Sequence, residues 1–198
     1  MDLQENIRRI LKEETEGISD FINELSDVFN LSNELKDEVK KFIEESNCKK
    51  IEFSNFKFGV LGLALHNIVL INKLVLNRNL EYVLFVIFHE VAHQYQFKKY
   101  GEDVMYDCYI GEITNDEAAN FMKQTEEVAD EFAARKIRQL QKKDLLNKGF
   151  KPPQMYKSMP IEQISMMVQM NKNQMKSMNI NSPEKVSEYF YNMVKSDL

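Results

Sequence analysis

Residues 79–99 read NLEYVLFVIFHEVAHQYQFKK, a stretch that contains two of the three histidines in this chain of 198 residues. The apolar pattern predicts a helix from about Asn79 to about Lys99, which ends near Gly101, a favourable C-cap residue. One face of this helix carries His89 and His93 together with Tyr82, Val86 and Gln96. The remaining apolar residues, such as Val83, Ile87 and Val91, can bury the other faces.

Residues 89–93, His-Glu-Val-Ala-His, carry the chemistry of this helix. Two histidines four residues apart project from the same face, where both rings can bind one zinc ion. Glu90 lies between them and is placed to accept a proton from a water molecule activated by the metal. A chance pair of histidines is disfavoured by Glu90 and by the uncharged neighbours. A purely structural zinc site is disfavoured because such sites usually use cysteine-rich ligand sets.

Catalytic zinc usually has three protein ligands, so a third ligand is required. In the extended zincin motif it is a histidine six residues after the second histidine, with a glycine midway. Those positions hold Lys99 and Gln96, which excludes this class. A carboxylate from a later helix remains, and Glu126 is the best candidate. Asp130 lies one turn further on, where it can accept the outer N–H of a ligand histidine.

Glu127 is the alternative third ligand, because Glu131 follows it at the same spacing. Spacing alone does not decide between the two registers. Small side chains favour Glu126, since they let one side of the second helix approach the first helix closely: Ala129, Ala133 and Ala134.

The two segments His89-Glu-Val-Ala-His93 and Glu126-Glu-Val-Ala-Asp130 together resemble the gluzincin metallopeptidases, most closely their compact ImmA/IrrE-type members. The resemblance covers about residues 58–138 and includes a pair of strands ahead of the motif. It implies that Glu126 is the third zinc ligand and that the chain is a zinc metallopeptidase. It also implies limited cleavage of an intracellular regulatory protein or peptide. The alternative is a zinc-binding regulatory protein that uses the same scaffold without hydrolysing its partner.

The predicted fold class is α+β and zincin-like, with a small antiparallel sheet packed on the two ligand-bearing helices. Strands are expected at residues 51–54, 58–65 and 68–72, with a turn at His66-Asn67 between the last two. Gly59 and Gly62 indicate a bend or a close backbone approach. The strand at 68–72 offers an edge along which an extended peptide could pair.

We expect one domain of residues 1–198, with the zincin core at 50–145. A helical N-terminal extension occupies 1–47 and a methionine-rich helical C-terminal extension occupies 150–198. Within the core, residues 102–117 read as an acidic loop and residues 116–145 as the second ligand helix. In the C-terminal extension, Ser182-Pro183 is typical of the start of a last helix.

The composition is that of a globular protein, with 43% hydrophobic and 29% charged residues and a net charge of −5. The negative charge argues against nucleic-acid binding. We find no signal peptide, and the longest apolar stretches are shorter than the ~20 residues of a membrane helix. The two cysteines, Cys48 and Cys108, form no disulfide framework. We therefore expect a cytoplasmic protein that does not associate with membranes.

A peptidase also needs a hydrogen-bond donor for the developing oxyanion. Four side chains are candidates, and the sequence does not select one of them: His66, Tyr106, Tyr109 and Tyr156. Acids dominate residues 102–131; they form a solvated surface or, alternatively, favour basic substrates near the zinc. The methionines of the C-terminal extension are expected to fill gaps in the core or to form an adaptable surface.

Overall fold

The structure is a computed structural model that describes residues 17–56, 59–154 and 156–195. The helices are α1 (residues 17–29), α2 (Asn33–Glu45), α3 (Leu80–Tyr100), α4 (Glu102–Ile110), α5 (Asn115–Lys142), α6 (Ile161–Ser177) and α7 (Pro183–Lys195). The strands are β1 (Lys50–Ser54), β2 (Gly62–Leu65) and β3 (Ile68–Asn72), and a short 3-10 helix (Lys73–Asn77) follows β3. The predicted α+β class is confirmed. The first part of the helical extension expected at residues 1–47, up to residue 16, lies outside the described residues.

Helix α3 packs against α2, α4, α5, β2 and β3 and lies at the centre of the fold. It begins after Asn79, whose side-chain oxygen accepts the backbone N–H of Tyr82 at 3.0 Å, and ends at Gly101, which has a φ of 86°. All residues from 83 to 94 are buried. A helix that is buried on every side cannot present an ordinary polar face to water. The polar side chains inside this stretch therefore need partners within the protein.

The three strands form a mixed sheet in the order β1-β3-β2, so the predicted antiparallel sheet is wrong. β2 and β3 are antiparallel and joined by the predicted turn, in which Asn67 has a φ of 64°. β1 pairs with the other side of β3 in parallel, with Ile51 opposite Val69. The chain reverses direction twice between β1 and β3, and the two strands therefore run the same way. Pairing order depends on tertiary packing, and the alternation of residues along each strand does not reveal it.

Two further predictions are corrected. The strand expected at residues 58–65 is confined to Gly62–Leu65, because residues 59–61 form a bend that leads into it. The loop expected at residues 102–117 contains helix α4, with Tyr106 and Cys108 buried beneath it. This helix was missed because six of its nine residues are apolar and lie on every side of the helix, so they form no single apolar stripe.

The C-terminal helices α6 and α7 pack on α4 and α5 and complete two small apolar clusters beside the main core. The last helix begins at Pro183, as predicted. Met175 is buried in one of these clusters, whereas four other methionines are between 41% and 69% exposed: Met166, Met167, Met170 and Met178. Within the described ranges, no helix has the length and apolar character required to cross a bilayer.

Candidate metal centre

Three side-chain donor atoms converge between α3 and α5. His89 and His93 lie one turn apart on α3, and α5 brings Glu126 to them. Nε2 of His89 is 3.0 Å from Oε2 of Glu126 and 3.3 Å from Nε2 of His93, and the third separation, between His93 and Glu126, is 3.6 Å. These residues could hold a metal ion, because all three atoms offer lone pairs to one point.

The outer nitrogen of each histidine ring has its own acceptor. Nδ1 of His89 donates to Oδ1 of Asp130 at 2.9 Å, and Nδ1 of His93 donates to Oε1 of Gln96 at 2.8 Å. Both hydrogen bonds hold the ring proton on Nδ1, which leaves the Nε2 lone pairs directed at the shared point.

Gln96 also connects the two helices that carry the converging side chains. Its Nε2 donates to the backbone oxygen of Thr125 at 2.7 Å, directly before Glu126 in the chain. This role of Gln96 was not predicted. A buried glutamine one turn after His93 on a nearly apolar helix was the available signal, since a polar side chain there requires partners.

The structure brings Glu126, and not Glu127, to the histidines. One turn later, Asp130 is buried on the same side of α5 as Glu126, whereas Glu131 is exposed. Ala129, Ala133 and Ala134 are all buried along the side of α5 that packs in the core. Small side chains there allow the close approach of the two helices that the site requires.

The buried charges of the site influence one another strongly. Burial opposes a positive charge on His89, but hydrogen bonds to Asp130 and Glu126 raise the pKa of the ring to about 10. Burial also opposes ionisation of Glu126, yet the adjacent His93 and His89 lower the pKa of its carboxyl group. The site therefore favours one positive charge between these groups, and a metal ion and a proton compete for that position.

The side chain of Glu90 packs against β2 and also lines the cavity beside His89, His93 and Glu126. A Cβ atom added to Gly62 of β2 would lie 2.5 Å from the Glu90 side chain, so only glycine leaves room for it. Burial raises the pKa of this carboxyl group. The close backbone approach indicated by the sequence thus occurs at Gly62, where it accommodates the glutamate of the motif.

Gln94 joins α3 to the turn between β2 and β3. Its Nε2 donates to the backbone oxygens of Leu65 at 2.9 Å and Ile68 at 3.2 Å, and its Oε1 accepts from the N–H of Asn67 at 2.9 Å. Gln94 follows Glu90 by four residues, so both side chains point toward the same hairpin. Three hydrogen bonds therefore hold β2 in position against Glu90.

A cavity of about 270 Å³ opens beside the metal-binding residues and is lined on one side by β2. β2 lies at the edge of the sheet, whereas β3 is central and pairs with a strand on each side. The prediction that an extended peptide could pair with the strand at 68–72 is therefore wrong. The edge strands are β1 and β2, and of these two β2 lines the cavity.

The four candidate oxyanion donors occupy different places. His66 is exposed, bonds to Glu102 at 2.8 Å and does not line the cavity. Tyr106 and Tyr109 line it, and the hydroxyl of Tyr106 is bonded to Ser187 at 3.4 Å. Tyr156 stacks on the His89 ring, with the ring centroids 6.1 Å apart and the planes at 21°.

Two more groups at the cavity remain protonated. Burial, the carboxylates of Glu126, Glu90 and Asp130, and a hydrogen bond to Glu126 all raise the pKa of the Tyr156 hydroxyl, which therefore keeps its proton. Burial also raises the pKa of Cys108 to about 11. Cys108 lines the cavity but is not one of the three converging donors.

Compared with protein-family models, curated proteins and solved structures, this chain matches none of them. What the site can do must therefore be inferred from its own residues and their geometry.

Proposed function

We propose that this protein is a zinc-dependent metallopeptidase of the gluzincin type. The observation that carries the proposal is the convergence of His89, His93 and Glu126 beside the buried carboxyl group of Glu90. Zinc ligands lie about 2.1 Å from the ion, and two such ligands at a tetrahedral angle are about 3.4 Å apart. The observed separations of 3.0, 3.3 and 3.6 Å fit one face of that tetrahedron.

The donor set also favours zinc with an open position. Two imidazoles and one carboxylate are a typical catalytic set, which leaves the fourth position for water or substrate. The ion, when bound, supplies the Lewis acidity that lowers the pKa of water and polarises a carbonyl group. Asp130 and Gln96 orient the two histidine rings toward it.

The protein's own residues perform the proton transfers in the proposed reaction. Glu90 accepts a proton from the attacking water and delivers it to the nitrogen of the leaving amine. Its burial raises the pKa of the carboxyl group, which suits a base that must later act as an acid. The Tyr156 hydroxyl retains its proton and can donate a hydrogen bond to the developing oxyanion.

The substrate in this proposal is an extended peptide segment that pairs with the outer edge of β2. Backbone pairing would carry the scissile bond past Gly62 and Glu90, because these two residues are in contact. The resemblance to ImmA/IrrE-type peptidases suggests a regulatory protein in the same cellular compartment as the natural target.

The proposal is tested by metal analysis combined with a cleavage assay. Purified protein should contain one zinc ion per chain and should cleave members of a degenerate peptide library, with products identified by mass spectrometry. A chelator should stop cleavage, and added zinc should restore it. Tight zinc binding without any cleavage would instead support the alternative of a non-hydrolytic zinc-binding regulatory protein.

Replacing Gly62 with alanine should disable the site through Glu90. The new methyl group requires the space of the Glu90 side chain, and misplacing a catalytic group by an ångström can lower the rate by about 100-fold. Zinc content should not change, because the three atoms nearest to the new methyl group all belong to Glu90, which is not one of the proposed ligands. Gly59→Ala is the matched control, since its added methyl group meets no atom within 4 Å. Equal loss of activity in both variants would contradict this explanation.

A further inference from the structure

The lining of the cavity beside His89, His93 and Glu126 limits which substrates can bind there. Its wall opposite β2 is formed by α4, α6 and α7 together with the part of α5 that precedes Glu126. The side chains of this wall are mainly large and apolar, and they include Met105, Tyr109, Phe121, Met122, Met167 and Phe190. Helices α6 and α7 belong to the C-terminal extension, so the extension builds part of the cavity.

Charge is confined to the metal-binding end of the cavity. Among the described residues that line it, only four side chains can carry a charge, and they are those of the proposed site: His89, Glu90, His93 and Glu126. None of the other acids between residues 102 and 131 lines the cavity. The alternative that these acids favour basic substrates near the zinc therefore finds no support in the cavity wall.

The size of the cavity limits what can enter it. Its volume of about 270 Å³ is slightly below the ~300–1,000 Å³ typical of sites for small molecules. One large side chain and the reacting groups can fill this space. A charged side chain would lose its hydration there without gaining a partner of opposite charge in the apolar wall.

We propose that this cavity is a specificity pocket, which selects a substrate with one large apolar residue (leucine, methionine or phenylalanine) next to the scissile bond. The inference rests on the proposed peptidase function and adds a substrate class to it. Charged residues at the same position would be rejected, and the C-terminal helices would contribute to specificity as well as to stability.

Two measurements on the zinc-loaded protein test this pocket. In the first, the degenerate peptide library should show apolar residues enriched at least about tenfold over aspartate and lysine at one position next to the cleaved bond. The second does not depend on hydrolysis: the hydroxamates of leucine, phenylalanine, aspartate and lysine are titrated calorimetrically. The two apolar probes should bind at least about tenfold more tightly than the charged ones.

A substitution at the mouth of the cavity should change the preference. Met167 lines the cavity and is 41% exposed, so a lysine can be accommodated there without unfolding the protein. Met167→Lys should raise the relative affinity of aspartate hydroxamate and reduce that of leucine hydroxamate. Met166→Lys is the matched control, because Met166 is the neighbouring residue, is 65% exposed and does not line the cavity.

The outcomes separate the pocket from the peptidase proposal. Apolar preference in hydroxamate binding without cleavage of any peptide would overturn the peptidase proposal and leave the pocket standing. Cleavage without side-chain preference, or equal binding of all four hydroxamates, would overturn the pocket alone. The same change in hydroxamate preference in Met167→Lys and Met166→Lys would also overturn the pocket. A protein that binds no zinc would overturn both the pocket and the peptidase proposal.

Discussion

Replacing Glu90 with glutamine is expected to lower peptide hydrolysis by roughly 10³-fold while the protein still binds zinc. Glutamine has the shape of glutamate but cannot accept the proton of the attacking water. Glu90 is not one of the three converging donors, so the ligand set is unchanged. Hydrolysis is measured on peptides taken from the library screen, and zinc content by elemental analysis of the purified variant.

The thermal stability of Glu90→Gln separates a chemical effect from a folding defect. Burial raises the pKa of the Glu90 carboxyl group, which means that the surroundings disfavour its charged form. A neutral glutamine removes that cost, so the variant should unfold at the same temperature as the natural protein or at a higher one. Glu131→Gln on the exposed side of α5 is the control and should retain full activity. Full turnover by Glu90→Gln would rule out Glu90 as the base.

The second large effect is expected on zinc affinity when a ligand is removed. Zinc binding in small sites provides about 10–16 kcal/mol, and an equal share for each of three ligands is about 3–5 kcal/mol. His93→Ala and Glu126→Ala should therefore weaken zinc binding by roughly 10²–10⁴-fold. The dissociation constant is measured by competition with a chromophoric chelator at fixed pH, because protons compete for the same position.

Two further variants make this series diagnostic. Asp130→Asn keeps all three donors but replaces the carboxylate that accepts the His89 proton, and it should weaken binding by about 10–100-fold. Glu127→Ala, the alternative register, should leave the affinity unchanged. If Glu127→Ala lost as much zinc affinity as Glu126→Ala, the assignment of Glu126 as the third ligand would be contradicted.

Local patterns predicted those parts of the fold that depend on neighbouring residues in the chain. The continuous apolar run before His89, closed by Gly101, identified α3 almost to the residue. Ser32 caps α2 in the same local way, since its hydroxyl oxygen accepts the N–H of Leu35 at 3.2 Å. Such caps and runs act over one or two helical turns, so the sequence displays them directly.

Features that depend on contacts between distant segments were predicted less well. The sheet is mixed because β1 pairs in parallel with the side of β3 that faces away from β2. This pairing depends on how the whole sheet packs against the helices. Helix α4 was missed because its buried residues, such as Tyr106 and Cys108, face helices that follow much later in the chain. The cavity wall formed by α6 and α7 could not be anticipated for the same reason.

The candidate chemistry of this protein follows from residue spacing along the chain. The spacing of His89, Glu90 and His93 on a helix places two ring nitrogens and a carboxylate near one another, because helical geometry is local. Small side chains favoured Glu126 as the third donor, but only the packed structure shows it beside the histidines, shows Gln96 and Gln94 holding the His93 ring and the hairpin, and shows which edge strand lines the cavity. Those outcomes depend on how α5 and β2 pack against α3, and packing between segments far apart in the chain leaves only weak traces in the order of the residues.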